Sequence, residues 1–175
     1  RREYLMAFSP EDRMEQAAIP QMKIFENVAL NNFKSSNFFN NGLINEKKIK
    51  EHSQKILSDF SVNTDNVELK SQFLSGGNLQ KLIIGRELIT SPELLICFNP
   101  TWGLDVGAIN YIHETLIKIN EQKKSIILIS TDTDELLKLC DKICVIFKGK
   151  LSKIMDAEEV TSEKLGILMG GGEIV

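Results

Sequence analysis

From Glu93 onward the chain alternates short, uninterrupted apolar runs with helix-forming segments. The runs are Leu94-Leu95-Ile96-Cys97-Phe98, Ile126 to Ile129 and Ile143 to Phe147. They lack the polar alternation of a strand with one wet face, and they suit strands buried on both faces of a parallel sheet. Between the first two runs Ile109, Ile112, Leu116 and Ile119 recur at helical spacing, so a helix carries the chain from one strand to the next. Strand, crossover helix and strand make the repeating unit of an α/β fold. This pattern restricts the second half of the chain to that class.

The first half reads differently. Tyr4 to Phe8 is a short strand, followed by a turn at Ser9-Pro10-Glu11-Asp12-Arg13, where Pro and Asp both favour turn starts. Ile24 to Phe33 predicts a short helix, and residues 34–45, with Ser, Asn and Gly clustered, predict a loop. Glu46 to Phe60 is amphipathic, with Ile49, Ile56, Leu57 and Phe60 on one face. Asn63 to Phe73 is irregular. A helix follows over Asn78 to Ile89, bounded by Gly77 and by Ser91-Pro92. After the sheet segments come a helix at Asp134 to Cys140, a last strand at Leu151 to Met155 and a last helix at Thr161 to Met169. Gly170-Gly171-Gly172 reads as a frayed end.

Composition narrows the function. A net charge of −3 with no dense basic stripe argues against nucleic acid as the main partner. No run approaches the roughly 20 apolar residues of a spanning helix. Three cysteines, without a paired C-x-x-C, predict reduced thiols in a cytosolic compartment and no metal site. His52 and His113 lie on predicted helices and are expected at the surface or its edge. The start at Arg1-Arg2, without methionine, reads as a piece of a longer chain.

The chemistry concentrates in Leu74-Ser75-Gly76-Gly77-Asn78-Leu79-Gln80-Lys81. A hydroxyl and two glycines directly before a helix place free N–H groups and the positive helix end where a phosphate can rest. Glycines let the main chain approach an anion because no Cβ intervenes. Downstream, Pro100-Thr101-Trp102-Gly103-Leu104-Asp105 follows the first apolar run, and Ser130-Thr131-Asp132-Thr133-Asp134-Glu135 follows the second.

That order resembles the back half of an ATP-binding-cassette (ABC) ATPase: signature motif, Walker B strand, D-loop, switch strand and final strands. Ser9 to Arg13, followed by Phe25-Glu26-Asn27-Val28-Ala29-Leu30, is similar to the Q-loop region of the second cassette in simple-sugar and nucleoside importers, which carry two cassettes in one polypeptide. Ser75-Gly76-Gly77-Asn78, with Asn where many cassettes have Gln, resembles the same cassette, as do Gly103 to Ala108 and the end Leu165 to Gly170. Ile109 to Glu114 leans toward the nucleoside branch. The resemblance implies an α/β, P-loop-NTPase-like ABC ATPase fragment: a parallel-sheet core with an inserted α-helical subdomain. Residues 1–19 would be the Q-loop region of the core, 20–91 the helical signature subdomain, 92–169 the C-terminal half of the core and 170–175 a flexible tail.

Set against the family, several groups are missing. No G-x-x-x-x-G-K-[ST] occurs; Gly149-Lys150 is the one lookalike. Phe98 and Asn99 stand where active cassettes have the Mg²⁺-binding Asp and the water-polarising Glu, Thr131 stands for the switch histidine, and Glu11 replaces the Q-loop glutamine. A Phe98 that fills the core fits a lost metal site. The resemblance therefore implies a half silent at its own site whose signature serves ATP in the first cassette. Ser75, Gly76 and Gly77 would contact the γ-phosphate, Asn78 and Gln80 would support them, and Gly103, Leu104 and Asp105 would shape the interface. Glu11, Asp12 and Arg13 are either a solvated turn or a Q-loop element sensing the membrane partner. Residues 31–45 would meet the transmembrane subunit, and Trp102, where Arg or Ala is usual, would either stack at the dimer interface or pack locally. ATP and Mg²⁺ are implied for the full transporter, and none is expected bound to this chain alone. The implied partners are the first cassette, transmembrane permease subunits and, indirectly, a solute-binding protein, with no nucleic acid, at the cytoplasmic face of the cell membrane. The rival readings are a non-catalytic regulatory module, or a soluble ABC protein acting on ribosome or DNA.

Overall fold

Strand β1 (Met6–Ser9) runs parallel to β4 (Leu94–Phe98), with Met6 opposite Leu94 and Ser9 opposite Cys97. β5 (Ser125–Ile129) completes a three-stranded sheet of order β1-β4-β5. The structure, a computed structural model, describes residues 5–31, 38–40 and 43–172. The chain forms two compact units, Arg1–Ile127 and Leu128–Val175.

In the first unit, α1 (Ile24–Asn31), α2 (Glu46–Asp59) and α3 (Gly76–Leu88) surround a core of Ile24, Val28, Ile56, Leu57, Val62, Leu74, Leu79, Leu82 and Ile83. α2 forms where the apolar positions predict it. Asn45 caps it by accepting from the Lys48 N–H, and Ile49, Ile56 and Leu57 are buried. Part of the expected loop at 34–45 is a short antiparallel pair, β2 (Phe39–Asn40) with β3 (Leu43–Ile44). The remaining loop residues, 34–37 and 41–42, lie outside the described residues, as do Tyr4 and Phe33. α4 (Val106–Glu121) buries Ile112, Leu116 and Ile119 as its periodicity predicts, leaves Ile109 half-buried, and also buries Ala108 and His113. His113, expected at the surface or its edge, falls one position after Ile112 on the margin of the apolar stripe and is only 7% exposed.

The sheet strands are less buried than their apolar runs suggest. β4 alternates buried and half-buried residues, and β5 alternates half-buried and exposed ones. Phe98 is half-buried rather than core, because it shares the less covered face with Leu94 and Ile96.

The second unit packs α5 (Thr133–Leu139) and α6 (Ser162–Met169) with a core of Ile143, Val145, Val160 and Leu165. Here the expected strands divide. Ile143 to Phe147 supplies the ends of two strands, β6 (Lys142–Ile143) and β7 (Ile146–Phe147). Leu151 to Met155 likewise splits between β8 (Lys150–Leu151) and β9 (Met155–Asp156). β6 pairs antiparallel with β9, and β7 with β8. The cause is local: Lys148 and Gly149 both take positive φ, 46° and 78°, and two such residues make the tight hairpin turn that returns the chain at Lys150. The Gly149-Lys150 lookalike is this turn. Gly170 to Gly172 close α6: the Gly171 N–H donates to Leu168 O at 3.0 Å and the Gly172 N–H to Ile167 O at 2.9 Å, with Gly171 at φ 83°. Those two bonds make a Schellman cap. Residues 173–175 of the expected tail lie outside the described residues.

Candidate functional site

The start of α3 is set by Ser75. Its extended backbone and its side chain, which accepts from the Asn78 N–H at 3.4 Å, start the helix at Gly76, two residues before the sequence predicts it. Asn78 steadies the cap: its Nδ2 donates to Ser75 Oγ at 3.0 Å, and its Oδ1 accepts from the Asn63 N–H at 2.9 Å. As first-turn groups, the N–H groups of Gly76 and Gly77 have no intrahelical acceptor. Ser75 and Gly76 are exposed, whereas Gly77 and Gln80 are buried.

Gly77 is glycine for a second reason. A Cβ there would stand 2.7 Å from Ala108 Cβ and 3.6 Å from Asp105 Oδ2. The start of α3 thus lies against the start of α4, which Asp105 caps by accepting from the Ala108 N–H at 3.0 Å. Between β4 and α4 the chain makes a tight double turn: the Trp102 N–H donates to Asn99 O and the Leu104 N–H to Thr101 O, both at 3.2 Å. Asn99 at φ 43° and Gly103 at φ 67° supply the left-handed backbone, which Asn tolerates better than most residues. Trp102 is 66% exposed.

The segment after β1 ties these pieces together. Asp12 Oδ1 accepts from the Met14 and Glu15 N–H groups, both at 2.9 Å, and so starts a π-helical turn at Arg13–Ala17. The Arg13 Nε donates to Gln80 Oε1 at 2.9 Å, and its Nη2 donates to the Trp102 carbonyl and, at 3.5 Å, to that of Pro100. Gln80 Nε2 donates in turn to Ser9 Oγ at 3.2 Å. Partial burial pulls the Arg13 guanidinium below its ordinary value, though an arginine stays charged. Nearby, Asn99 Nδ2 donates to Glu11 Oε1 at 2.7 Å.

The structure therefore brings together Glu11, Asp12, Ser75 to Asn78, Gln80, Asn99 and Gly103 to Asp105. Thr131 belongs to the second unit and is exposed. Sequence reasoning missed the Arg13 hub, whose acceptors lie 67 to 89 residues away. It also missed Asn27, 1% exposed, which accepts from the Ile19 N–H at 2.8 Å and donates to Ser71 Oγ, fastening the segment just ahead of Ser75. The carboxamide stands in the quoted run Phe25 to Leu30, but nothing local marks it as buried.

Chemically, the α3 corner fits a phosphate: an exposed hydroxyl and first-turn N–H groups converge there. The end of β4 does not fit Mg²⁺. Phe98 has no oxygen, the Asn99 amide is engaged with Glu11, and no cluster of three or more His, Cys, Asp or Glu suited to a metal occurs among the described residues.

No protein-family model matches the chain. Over 94% of its length it is 40% identical to the nucleoside import ATP-binding protein NupA of Lactococcus lactis, covering 33% of that protein. Over 93% it is 35% identical to the guanosine import ATP-binding protein NupO of Bacillus subtilis, covering 32% of it. It superposes on the ATP-binding cassette MJ0796, in a dimeric post-hydrolysis state bound to ADP and Pi, with a TM-score of 0.70 at 23% identity over 87% of this chain and 62% of that one. The chain has the ABC ATPase fold and is related to nucleoside and sugar import ATP-binding proteins. A further cassette structure, cbiO1 of Clostridium perfringens, part of the ABC transporter complex cbiONQ, gives a TM-score of 0.68 at 21% identity over 95% of this chain and 62% of that one. The chain spans about a third of the length of the curated relatives it matches. Among the described residues no helix is long and apolar enough to cross a membrane.

Proposed function

We propose that this chain is the C-terminal part of a second, degenerate cassette in an importer ATPase for nucleosides or simple sugars. The relatives named for nucleoside, guanosine and ribose import support the solute class. Its role is to lend a signature corner to ATP held by the first cassette of the same polypeptide. The observation that supports this reading is a contrast within one unit: the Ser75–Gly76 corner is exposed at a capped helix start, while Phe98 offers no oxygen and the Asn99 amide is engaged with Glu11.

In this reading the Ser75 hydroxyl and the Gly76 and Gly77 N–H groups hold the γ-phosphate. Asn78 keeps the Ser75 oxygen in place, and Gln80 anchors α3 to β1 through Ser9. ATP hydrolysis supplies the free energy for transport, and this chain's part is electrostatic stabilisation of the phosphate from across the interface. Gly103, Leu104 and Asp105 line the same interface. Glu11 and Asp12 form the Q-loop element facing the permease. The assembly sits peripherally on the cytoplasmic face of the membrane, with permease subunits and, indirectly, a solute-binding protein as partners.

Ser75→Arg in the full-length transporter tests the reading. Arg fills the exposed corner, and losing one preorganised donor set of this kind lowers kcat by about 10²–10³-fold. Unchanged ATPase activity would reject the proposal.

A further inference from the structure

Arg13 holds three segments that are far apart in sequence. Its Nε bonds Gln80 on α3, and its Nη2 bonds the Trp102 and Pro100 carbonyls in the turn between β4 and α4. The residue itself opens the turn that follows β1. All these acceptors are neutral, and only burial perturbs the guanidinium. The guanidinium lies beside the α3 corner: Nη1 stands 3.9 Å from the place of a Cβ on Gly76. The planar fork of Arg can satisfy a side-chain amide and two carbonyls at once, whereas a Lys ammonium cannot span them in that geometry.

We propose that Arg13 is a positioning residue for the signature corner. It locks the Pro100–Leu104 turn against α3, so that Ser75, Gly76 and the turn meet the other cassette as one rigid surface. The inference rests on the in-trans reading above. In that arrangement ATP is held mainly by the P-loop of the first cassette. Loosening Arg13 therefore leaves ATP binding largely intact and misplaces the groups that act on the γ-phosphate. A misplacement of about 1 Å can lower turnover by about 10²-fold.

The test uses the full-length transporter assembled with its permease, with steady-state ATPase kinetics for Arg13→Lys, Arg13→Gln, Gln80→Leu and the Arg13→Gln/Gln80→Leu double variant. The expected result is a kcat at least about tenfold lower in both Arg13 variants, with KM for ATP within about threefold of wild type. The double variant should lose less than the sum of Arg13→Gln and Gln80→Leu, because the Arg13–Gln80 bond is counted in both. If Arg13→Gln does not assemble, Arg13→Lys decides. Wild-type kcat for Arg13→Lys overturns the proposal, and so does a rise in KM that matches the fall in kcat. Ser75→Arg separates the two claims. A dead Ser75→Arg beside an active Arg13→Lys removes only this inference, whereas an active Ser75→Arg removes the in-trans reading and the inference with it.

Discussion

The start of α3 and the end of β4 are joined to the same short segment, yet they offer different chemistry. At α3 the groups suited to an anion remain: an exposed Ser75 hydroxyl, first-turn N–H groups and a glycine pressed against Ala108. At β4 Phe98 offers no oxygen, and the residues that follow form a frame. Asn99 holds a left-handed turn and donates to Glu11, while the Pro100 and Trp102 carbonyls receive Arg13. The contrast separates two demands that a catalytic strand end must otherwise meet together. Chemistry needs particular charges there, but architecture needs only a residue that tolerates positive φ and can donate a hydrogen bond. The end of β4 meets the second demand without the first.

The sharpest attempt to break this comparison is Gly77→Val. The Cβ position already stands 2.7 Å from Ala108 Cβ, and Gly77 is buried. A branched side chain must push the start of α3 away from α4, at about 3 kcal/mol, the upper part of the range for overpacking. Urea unfolding of the full-length protein should show the loss, and ATPase turnover should fall with it. A neutral result would mean that the two helix starts are not rigidly apposed.

Asn99→Asp probes the other region. Asp also tolerates left-handed backbone, so the turn at φ 43° is not the variable. The change replaces the donor to Glu11 Oε1 with a second carboxylate at about the same place. Two like charges in contact raise the affinity of one for a proton. The sign follows: with a carboxylate value raised by folding, stability is intact below the ordinary carboxylate range and is lost as pH rises through the raised value. The variant should match wild type near pH 4 and fall about 1–2 kcal/mol below it at pH 7. A constant difference across that range would mean that the Asn99–Glu11 bond does not hold the frame.

How far the sequence speaks depends on how local the cause is. The α2 and α4 stripes and the Ser75 corner each arise from residues within a few positions of one another, and periodicity and the Ser-Gly-Gly run show them. The end of the chain misled because Ile143 to Phe147 is apolar throughout, while the Lys148-Gly149 turn forces a hairpin that apolar content alone does not reveal. Arg13 was illegible for a deeper reason. Within Ser9 to Arg13 it looks like any solvated turn residue, and its role exists only once β1, α3 and the turn after β4 meet in space. The same holds for Asn27, whose partner Ser71 is 44 residues away.

The smallest expected effect concerns whether the α3 start depends on contacts further along the same helix. Lys81 Nζ lies 4.3 Å from the centre of the Tyr111 ring on α4 and donates to Ser61 O at 3.1 Å. Lys81→Met keeps most of the apolar stem and removes the cation, so thermal unfolding should report a loss of about 0.5–1 kcal/mol, as for a cation–π pair near the surface. Burial pushes the Tyr111 phenol up, outweighing the hydrogen bonds from Ser61 and Thr115 that pull it down. A phenol value raised by folding means that its contribution is complete below about pH 10 and disappears as pH rises through the native value. Tyr111→Phe should therefore flatten the alkaline limb of the stability curve. ATPase turnover of Lys81→Met should stay within about twofold of wild type, because Gly77 against Ala108 and Arg13 against Gln80 already fix the corner. A tenfold loss of turnover in Lys81→Met would move the control of the corner from its start to the body of the helix.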